Sequence, residues 1–220
     1  SIRARVKSGG DTRVCTSATD GSATFIIDGF GAQYTYQINS EPLSAPQSAS
    51  EVNLTSRGAG TYVITVTDVD TGCTDTASIT IVESAIFTST PVVTNMSCLN
   101  GNIGRVVINT SGGWGSNMYT LINPSGVTVG GGPRSSNTFG NLTVAGTYTY
   151  TVRDAEGCEV TGSFILTPQD SPVITIASSN LCYEPINGAS VTVAATGGVA
   201  VSGYTYRIIS NNKQTITSNS

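Results

Sequence analysis

Five cysteines constrain this chain more than any other feature, because they recur at a fixed interval. Cys15, Cys98 and Cys182 stand 83 and 84 residues apart, and Cys73 and Cys158 stand 85 apart. Within a unit the separations are 58 residues for Cys15 to Cys73 and 60 for Cys98 to Cys158. Other landmarks keep the same phase. Gly60-Thr61-Tyr62 recurs as Gly146-Thr147-Tyr148, and each is followed by an aspartate, Asp68 or Asp154, and then by Gly72-Cys73 or Gly157-Cys158. Tyr34-Thr35-Tyr36 recurs as Tyr204-Thr205-Tyr206 and, more loosely, as Tyr119-Thr120-Leu121. Self-similarity at a fixed period is the mark of tandem modules. The 220 residues therefore divide into a first repeat (1–84), a second (85–168) and a third, incomplete one (169–220).

Inside each repeat the pattern is β. Strands favour β-branched and aromatic residues at period two, separated by Gly, Pro, Asn and Asp. Tyr62, Ile64 and Val66 alternate with Val63, Thr65 and Thr67, and Tyr148, Tyr150 and Val152 alternate with Thr149, Thr151 and Arg153. The first set of each should face a core and the second water. Ala77, Ile79 and Ile81 read as the next strand, matched by Gly162, Phe164 and Leu166. Earlier strands are read at Ala23–Asp28, Tyr34–Asn39, Arg105–Thr110, Tyr119–Asn123, Val191–Ala195 and Tyr204–Ile209. No long window shows the 3.6-residue period of a helix.

About 84 residues holding several short strands fit an all-β fold, a tandem of immunoglobulin-like antiparallel β-sandwiches. The tyrosine of Gly-Thr-Tyr would enter the penultimate strand. There it is either a plain core residue or a tyrosine corner, its hydroxyl bonded back to the preceding turn. Short linkers are expected at 83–90 and 167–171, stiffened by Pro91, Pro168 and Pro172. Such joints favour a semi-rigid rod, and three units end to end would exceed about 60 Å.

Composition removes several function classes. There is no histidine, so neither a His-ligated metal nor a His general base is available. Ten Lys+Arg against 14 Asp+Glu, with lysine only at Lys7 and Lys213, cannot form the basic patch that nucleic acid needs. No apolar run approaches the roughly 20 residues of a membrane-spanning helix. The 27 serines and 32 threonines offer many hydroxyls, but no base stands near one in any recognisable arrangement, and the carboxylates fall mainly in turns. An enzyme is not expected.

Cysteines at repeat spacing without histidine argue for disulfides over zinc. Pairing within each unit, Cys15–Cys73 and Cys98–Cys158, is the reading adopted, with buried reduced thiols as its alternative; spacing alone does not fix connectivity. Closing about 60 residues would stabilise a unit by roughly 4 kcal/mol in the chain-entropy treatment. Cys182 lacks a mate of its own unit, which by the period falls past Ser220. The chain then reads as a segment of a longer array, the rival being a pilin-like subunit completed by a donated strand.

The motif order is Cys15, Asp20-Gly21, Tyr34-Thr35-Tyr36, Gly60-Thr61-Tyr62, Asp68 and Gly72-Cys73. The second unit repeats it as Cys98, Asn100-Gly101, Gly112-Gly113, Gly146-Thr147-Tyr148, Asp154 and Gly157-Cys158. The third begins it with Cys182, Asn187-Gly188, Gly197-Gly198 and Tyr204-Thr205-Tyr206. This resembles the SprB-type repeats of very large surface adhesins from gliding bacteria, and the wider PKD-like and immunoglobulin-like modules of type IX secreted proteins. The first unit departs with Gly29-Phe30-Gly31 in place of Gly-Gly, and the second with Leu121 in place of the last tyrosine. The resemblance implies a cell-surface stalk or adhesin at the bacterial outer membrane, or a secreted protein, with a part in adhesion and gliding motility. It supplies no catalytic residue. The partners it implies are neighbouring repeats of the same polypeptide, surface glycans, or the secretion and motility machinery. Spacer modules of a secreted polysaccharide-acting enzyme are the alternative.

Three candidate sites remain. Asp68 and Asp70, and Asp154 and Glu156, cluster carboxylates that could begin a Ca²⁺ shell, or could simply build strand-to-strand turns. Trp114, the single tryptophan, lies among glycines and could stack on a sugar or partner surface, or fold over the end of its own sandwich. Thr76, in Asp75-Thr76-Ala77, matches a short bacterial O-glycosylation sequence.

Overall fold

In a computed structural model, residues 1–180, 190–198, 203–209 and 215–219 are described. The chain is all-β, built as immunoglobulin-like antiparallel sandwiches. Seven strands form the first: β1 (Arg3–Val6), β2 (Arg13–Val14), β3 (Gly21–Asp28), β4 (Tyr34–Ile38), β5 (Glu51–Arg57), β6 (Gly60–Asp68) and β7 (Thr74–Glu83). They pair as a three-stranded sheet β1-β3-β5 facing a four-stranded sheet β2-β7-β6-β4. The second sandwich uses β8 (Ala85–Ser97), β9 (Ile103–Gly113), β10 (Met118–Ile122), β11 (Thr138–Leu142), β12 (Gly146–Arg153) and β13 (Glu159–Leu166). Its sheets are β11-β9-β8 and β10-β12-β13. Two further hairpins follow, β14 (Val173–Asn180) with β15 (Ser190–Thr196), and β16 (Thr205–Ile209) with β17 (Thr215–Asn219).

Alternation drives the packing. Along β3, Gly21, Ala23, Phe25 and Ile27 turn inward while their neighbours are half-buried. Ile64 and Val66 are buried on β6, and Tyr148, Tyr150 and Val152 on β12, with Val63, Thr65 and Thr149 outside. Each sandwich has its own core. One gathers Phe25, Ile27, Tyr34, Leu54, Ile64 and Ile81; the other gathers Val106, Ile108, Leu121, Phe139, Tyr148 and Leu166. Both Gly-Thr-Tyr tyrosines form the corner. Tyr62 Oη donates to the Gly58 carbonyl at 3.0 Å, and Tyr148 Oη to the Val144 carbonyl at 2.8 Å. Burial pushes the Tyr148 phenol above its ordinary range.

Two features differ from the sequence reading. The expected linker over 83–90 is largely strand. β7 ends at Glu83 and β8 begins at Ala85, which leaves Ser84 alone between the sandwiches. Pro91 sits inside β8 opposite Ile108, and this is tolerated because β8 is an edge strand of its sheet. The second difference is β2, two residues long, which runs parallel to β7 with Arg13 opposite Val82 and Val14 opposite Glu83. Its register decides where Cys15 lies.

Candidate functional site

The parallel β2–β7 pair brings the end of β2 to the end of β7, so Cys15 lies at the pole where the chain leaves the first sandwich. Cys73 precedes Thr74, the first residue of β7, and so lies at the opposite pole. The ten residues of β7 span about 33 Å at roughly 3.3 Å per residue. A disulfide needs its Cα atoms within about 7 Å. The expected Cys15–Cys73 pairing is therefore excluded. Cys98–Cys158 is corrected on the same ground, since Cys158 immediately precedes β13 and the backbone of Met96 bonds Thr167, just past its far end.

Cys15 instead bonds Cys158, across the two sandwiches, with Cα atoms 5.5 Å apart. Cys73 and Cys98 are exposed free thiols. Cys182 falls outside the described residues.

The three residues Arg13-Val14-Cys15 all grip the second sandwich. The Arg13 guanidinium lies 4.1 Å from the centroid of the Trp114 ring, and it pairs with Glu156 at 2.9 Å. The Val14 carbonyl accepts two hydrogen bonds, from Ser84 N–H at 3.0 Å and from Trp114 Nε1–H at 3.1 Å. The turn after Cys15 holds the one-residue connection. Thr16 Oγ1 donates to the Ser84 carbonyl at 2.8 Å, and Ser17 N–H donates to Glu83 Oε2 at 2.9 Å. A cleft of about 380 Å³ opens beside the disulfide, lined by Thr16, Ser84, Ile86, Phe87 and Glu159.

The second sandwich presents this surface through a tight pair of loops. Asp154 is buried, and its Oδ2 accepts Trp114 N–H at 2.7 Å. Its Oδ1 accepts Glu156 N–H at 3.0 Å and Cys158 N–H at 2.9 Å. One carboxylate thus sets both the tryptophan loop and the cysteine hairpin. Gly112 and Gly113 are required beneath them. Both have positive φ; a Cβ on Gly112 would fall 1.9 Å from the Ile86 carbonyl oxygen, and one on Gly113 would meet Asp154 Oδ2 at 2.8 Å and Phe87 at 3.0 Å.

The remaining candidates resolve as follows. Trp114 is half-buried against the first sandwich; of the readings offered, the surface it meets is that of the neighbouring module, and it does not close over the end of its own sandwich. Asp68 matches Asp154 in the first repeat, accepting N–H groups from Gly31 at 2.7 Å, Asp70 at 2.9 Å and Thr71 at 3.0 Å. The Gly31 amide, followed by the Thr71 amide, holds its carboxyl below the usual carboxylate range. Asp70 Oδ2 accepts Ala32 N–H at 3.0 Å. These carboxylates serve backbone amides, and Glu156 serves Arg13. Among the described residues no group of three or more His, Cys, Asp or Glu could hold a metal ion. Thr76 is exposed on β7, while the neighbouring Asp75 accepts Ala4 N–H at 2.8 Å.

Sequence reasoning missed the junction because it compared the repeats for likeness. The signal lay where they differ. Gly31 occupies the place of Trp114 in the first repeat, as their matching bonds to Asp68 and Asp154 show.

Fold and site together define a tandem immunoglobulin-like protein whose distinctive chemistry lies between modules. No protein-family model matches the chain, and no curated protein matches it. Similar solved structures include the C-terminal 282-residue fragment of intimin in complex with the translocated intimin receptor intimin-binding domain. It is 16% identical over 80% of this chain and 66% of that one, with a TM-score of 0.43. The three N-terminal domains of the bacteriophage RB49 highly immunogenic outer capsid protein are 10% identical over 99% of this chain and 79% of that one, TM-score 0.45. Invasin, a bacterial integrin-binding protein, is 14% identical over 81% of this chain, TM-score 0.29, and this chain spans 42% of its length. These likenesses concern the fold alone. Among the described residues no helix is long and apolar enough to cross a membrane.

Proposed function

We propose that this chain is a spacer segment of an extracellular adhesin or stalk, in which successive sandwiches are locked end to end. The observation that carries the reading is the Cys15–Cys158 bond, which joins two separately cored sandwiches instead of closing either. A one-residue connection, the Trp114 contact and the Arg13–Glu156 pair restrict the same joint. Such a device resists bending and proteolysis at the point where a tandem array is weakest. Disulfides persist in oxidising compartments, which supports a location outside the cytoplasm. The outer faces carry Ser and Thr more than charge, so few ion pairs are available for salt to screen.

The repeat resemblance makes the finer reading a SprB-type surface adhesin of a gliding bacterium, exported by type IX secretion, whose distal portion meets surface glycans. Thr76, exposed beside Asp75, is its candidate O-glycosylation site. Antibodies raised against residues 1–168 test the proposal on intact cells. Surface labelling, with loss of attachment to glass when the gene is deleted, is expected. Label reached only after permeabilisation would overturn it.

A further inference from the structure

We infer that Cys73 and Cys98 are half-cystines of two further intermodule bonds of the Cys15–Cys158 kind, each joined to a different module of this repeat class; the inference rests on the stapled-array reading above. Two independent correspondences carry it.

The first concerns the hairpins. Asp68 N–H bonds the Cys73 carbonyl at 2.9 Å, as Asp154 N–H bonds that of Cys158 at 2.9 Å. Each hairpin is organised by its own aspartate, and each cysteine immediately precedes its sandwich's last strand. Cys158 is 4% exposed because the first sandwich covers it, whereas Cys73 stands exposed in a related hairpin one residue longer, its N–H bonding Thr71 Oγ1 at 3.3 Å. Its pole faces away from Cys15, toward whatever precedes.

The second concerns the receiving end. The Cys98–Asn100 turn repeats the Cys15 turn: Gly101 N–H points to the Cys98 carbonyl at 3.4 Å, as Ala18 N–H does to that of Cys15 at 2.9 Å. Cys98 N–H donates to Gln169 Oε1 at 2.6 Å, which ties the turn to the following connection as Thr16 is tied to Ser84. Beyond it, the glycine pair after β15 restates the pair that ends β9. A Cβ on Gly198 would meet Pro172 at 3.3 Å, as one on Gly113 meets Phe87, and a Cβ on Gly197 would meet the Ser171 carbonyl as one on Gly112 meets that of Ile86. Cys98 borders a cleft of about 180 Å³ with Leu99, Gln169, Pro172, Gly198 and Tyr204. It stands where Cys15 stands, at the rim of a junction. The ligand that completes this junction is the Gly-Cys hairpin of an adjoining module.

Met96 takes the place of Arg13 here, so the guanidinium contact of the first junction is not repeated. The disulfide would then be the principal tie. In the bond-forming step two thiols lose two protons and two electrons, and a disulfide-bearing oxidant takes them up to become a dithiol.

The test uses the native polypeptide taken from cells, with free thiols trapped by N-ethylmaleimide before lysis. Non-reducing digestion and mass spectrometry then map its linkages. Cys98 should be joined to a Gly-Cys peptide, Cys73 to a cysteine of the Cys15 series, and neither should carry maleimide. Maleimide on either residue, or a Cys73–Cys98 link, overturns the inference. The Cys15–Cys158 link reads out the parent reading separately: its presence beside an alkylated Cys98 sinks only the extension, and its absence sinks both.

Discussion

The two cysteine hairpins, Asp68–Cys73 and Asp154–Cys158, are related aspartate-centred turns, the first one residue longer, in different company. Each has an aspartate whose carboxylate gathers three backbone N–H groups. One lies bare at the end of the first sandwich, and the other is sealed against Cys15, Arg13 and Val14 of its neighbour. Local sequence therefore builds the hairpin, and the adjoining module decides what it does. A repeat protein can keep its fold motif constant while varying the residues that meet the next copy.

Breaking the covalent bond should give the largest effect. Cross-linking residues 143 apart in sequence stabilises by roughly 5 kcal/mol against the fully unfolded chain in the chain-entropy treatment. Cys158→Ser should separate the unfolding of the two sandwiches, so that calorimetry of residues 1–168 shows two transitions where the parent shows one. A single unchanged transition would mean that the bond contributes nothing to coupling.

Trp114→Ala comes next. It removes the Val14 hydrogen bond, the Arg13 stacking and the buried part of the indole, for a loss of about 2–4 kcal/mol from the joint. Glu156→Gln, at a partly exposed pair, should cost at most about 1 kcal/mol and should lose its effect in high salt. Unequal responses of the two sandwiches to Trp114→Ala would locate its contribution away from the joint.

The tyrosine corners sharpen the comparison at smaller scale. Tyr148 is 1% exposed and stacks on Phe164 with centroids 5.2 Å apart, whereas Tyr62 is half-buried. Tyr148→Phe removes the hydroxyl of a fully buried ring and its bond to the Val144 carbonyl, and should cost about 1–2 kcal/mol. Tyr62→Phe should cost less, because water can replace the hydroxyl. Urea denaturation orders the two, and the reverse order would contradict this assignment of burial.

Acid gives the last contrast. Asp68 has a folded pKa below its ordinary 3.8, first because Gly31 N–H donates to it. Its contribution is thus complete above that ordinary value and fades as pH falls below it. Asp68→Asn should weaken the first sandwich at neutral pH and flatten its loss of stability below about pH 4. An unchanged acid slope would remove the carboxylate from the explanation.

Much of the module was legible because period-two alternation names both faces of a strand. Ile64, Val66, Tyr148 and Val152 were readable as core on that basis alone. The strands β5 and β11 were missed because each shows too few apolar residues, Val52 and Leu54 in one and Phe139 and Leu142 in the other. β8 was missed because Pro91 reads as a breaker, and only its place at a sheet edge makes it harmless. The disulfide pattern was misread for a topological reason. Similar spacing suggested closure within a repeat, but the two-residue β2 running parallel to β7 puts Cys15 at the wrong pole for Cys73. No periodicity in two residues could announce that pairing.

The most direct measurement is a non-reducing tryptic map of the oxidised 220-residue chain. Cleavage after Arg13, Arg57, Arg105 and Arg153 places Cys15 on the fragment 14–57, Cys73 and Cys98 together on 58–105, and Cys158 on 154–207. A second cut at Glu159 separates Cys158 from Cys182. The stapled joint requires 14–57 linked to the Cys158 peptide. Linkage of 14–57 to 58–105, with 58–105 linked to the Cys158 peptide, would return both bonds to the interiors of the repeats and contradict the joint as the functional site.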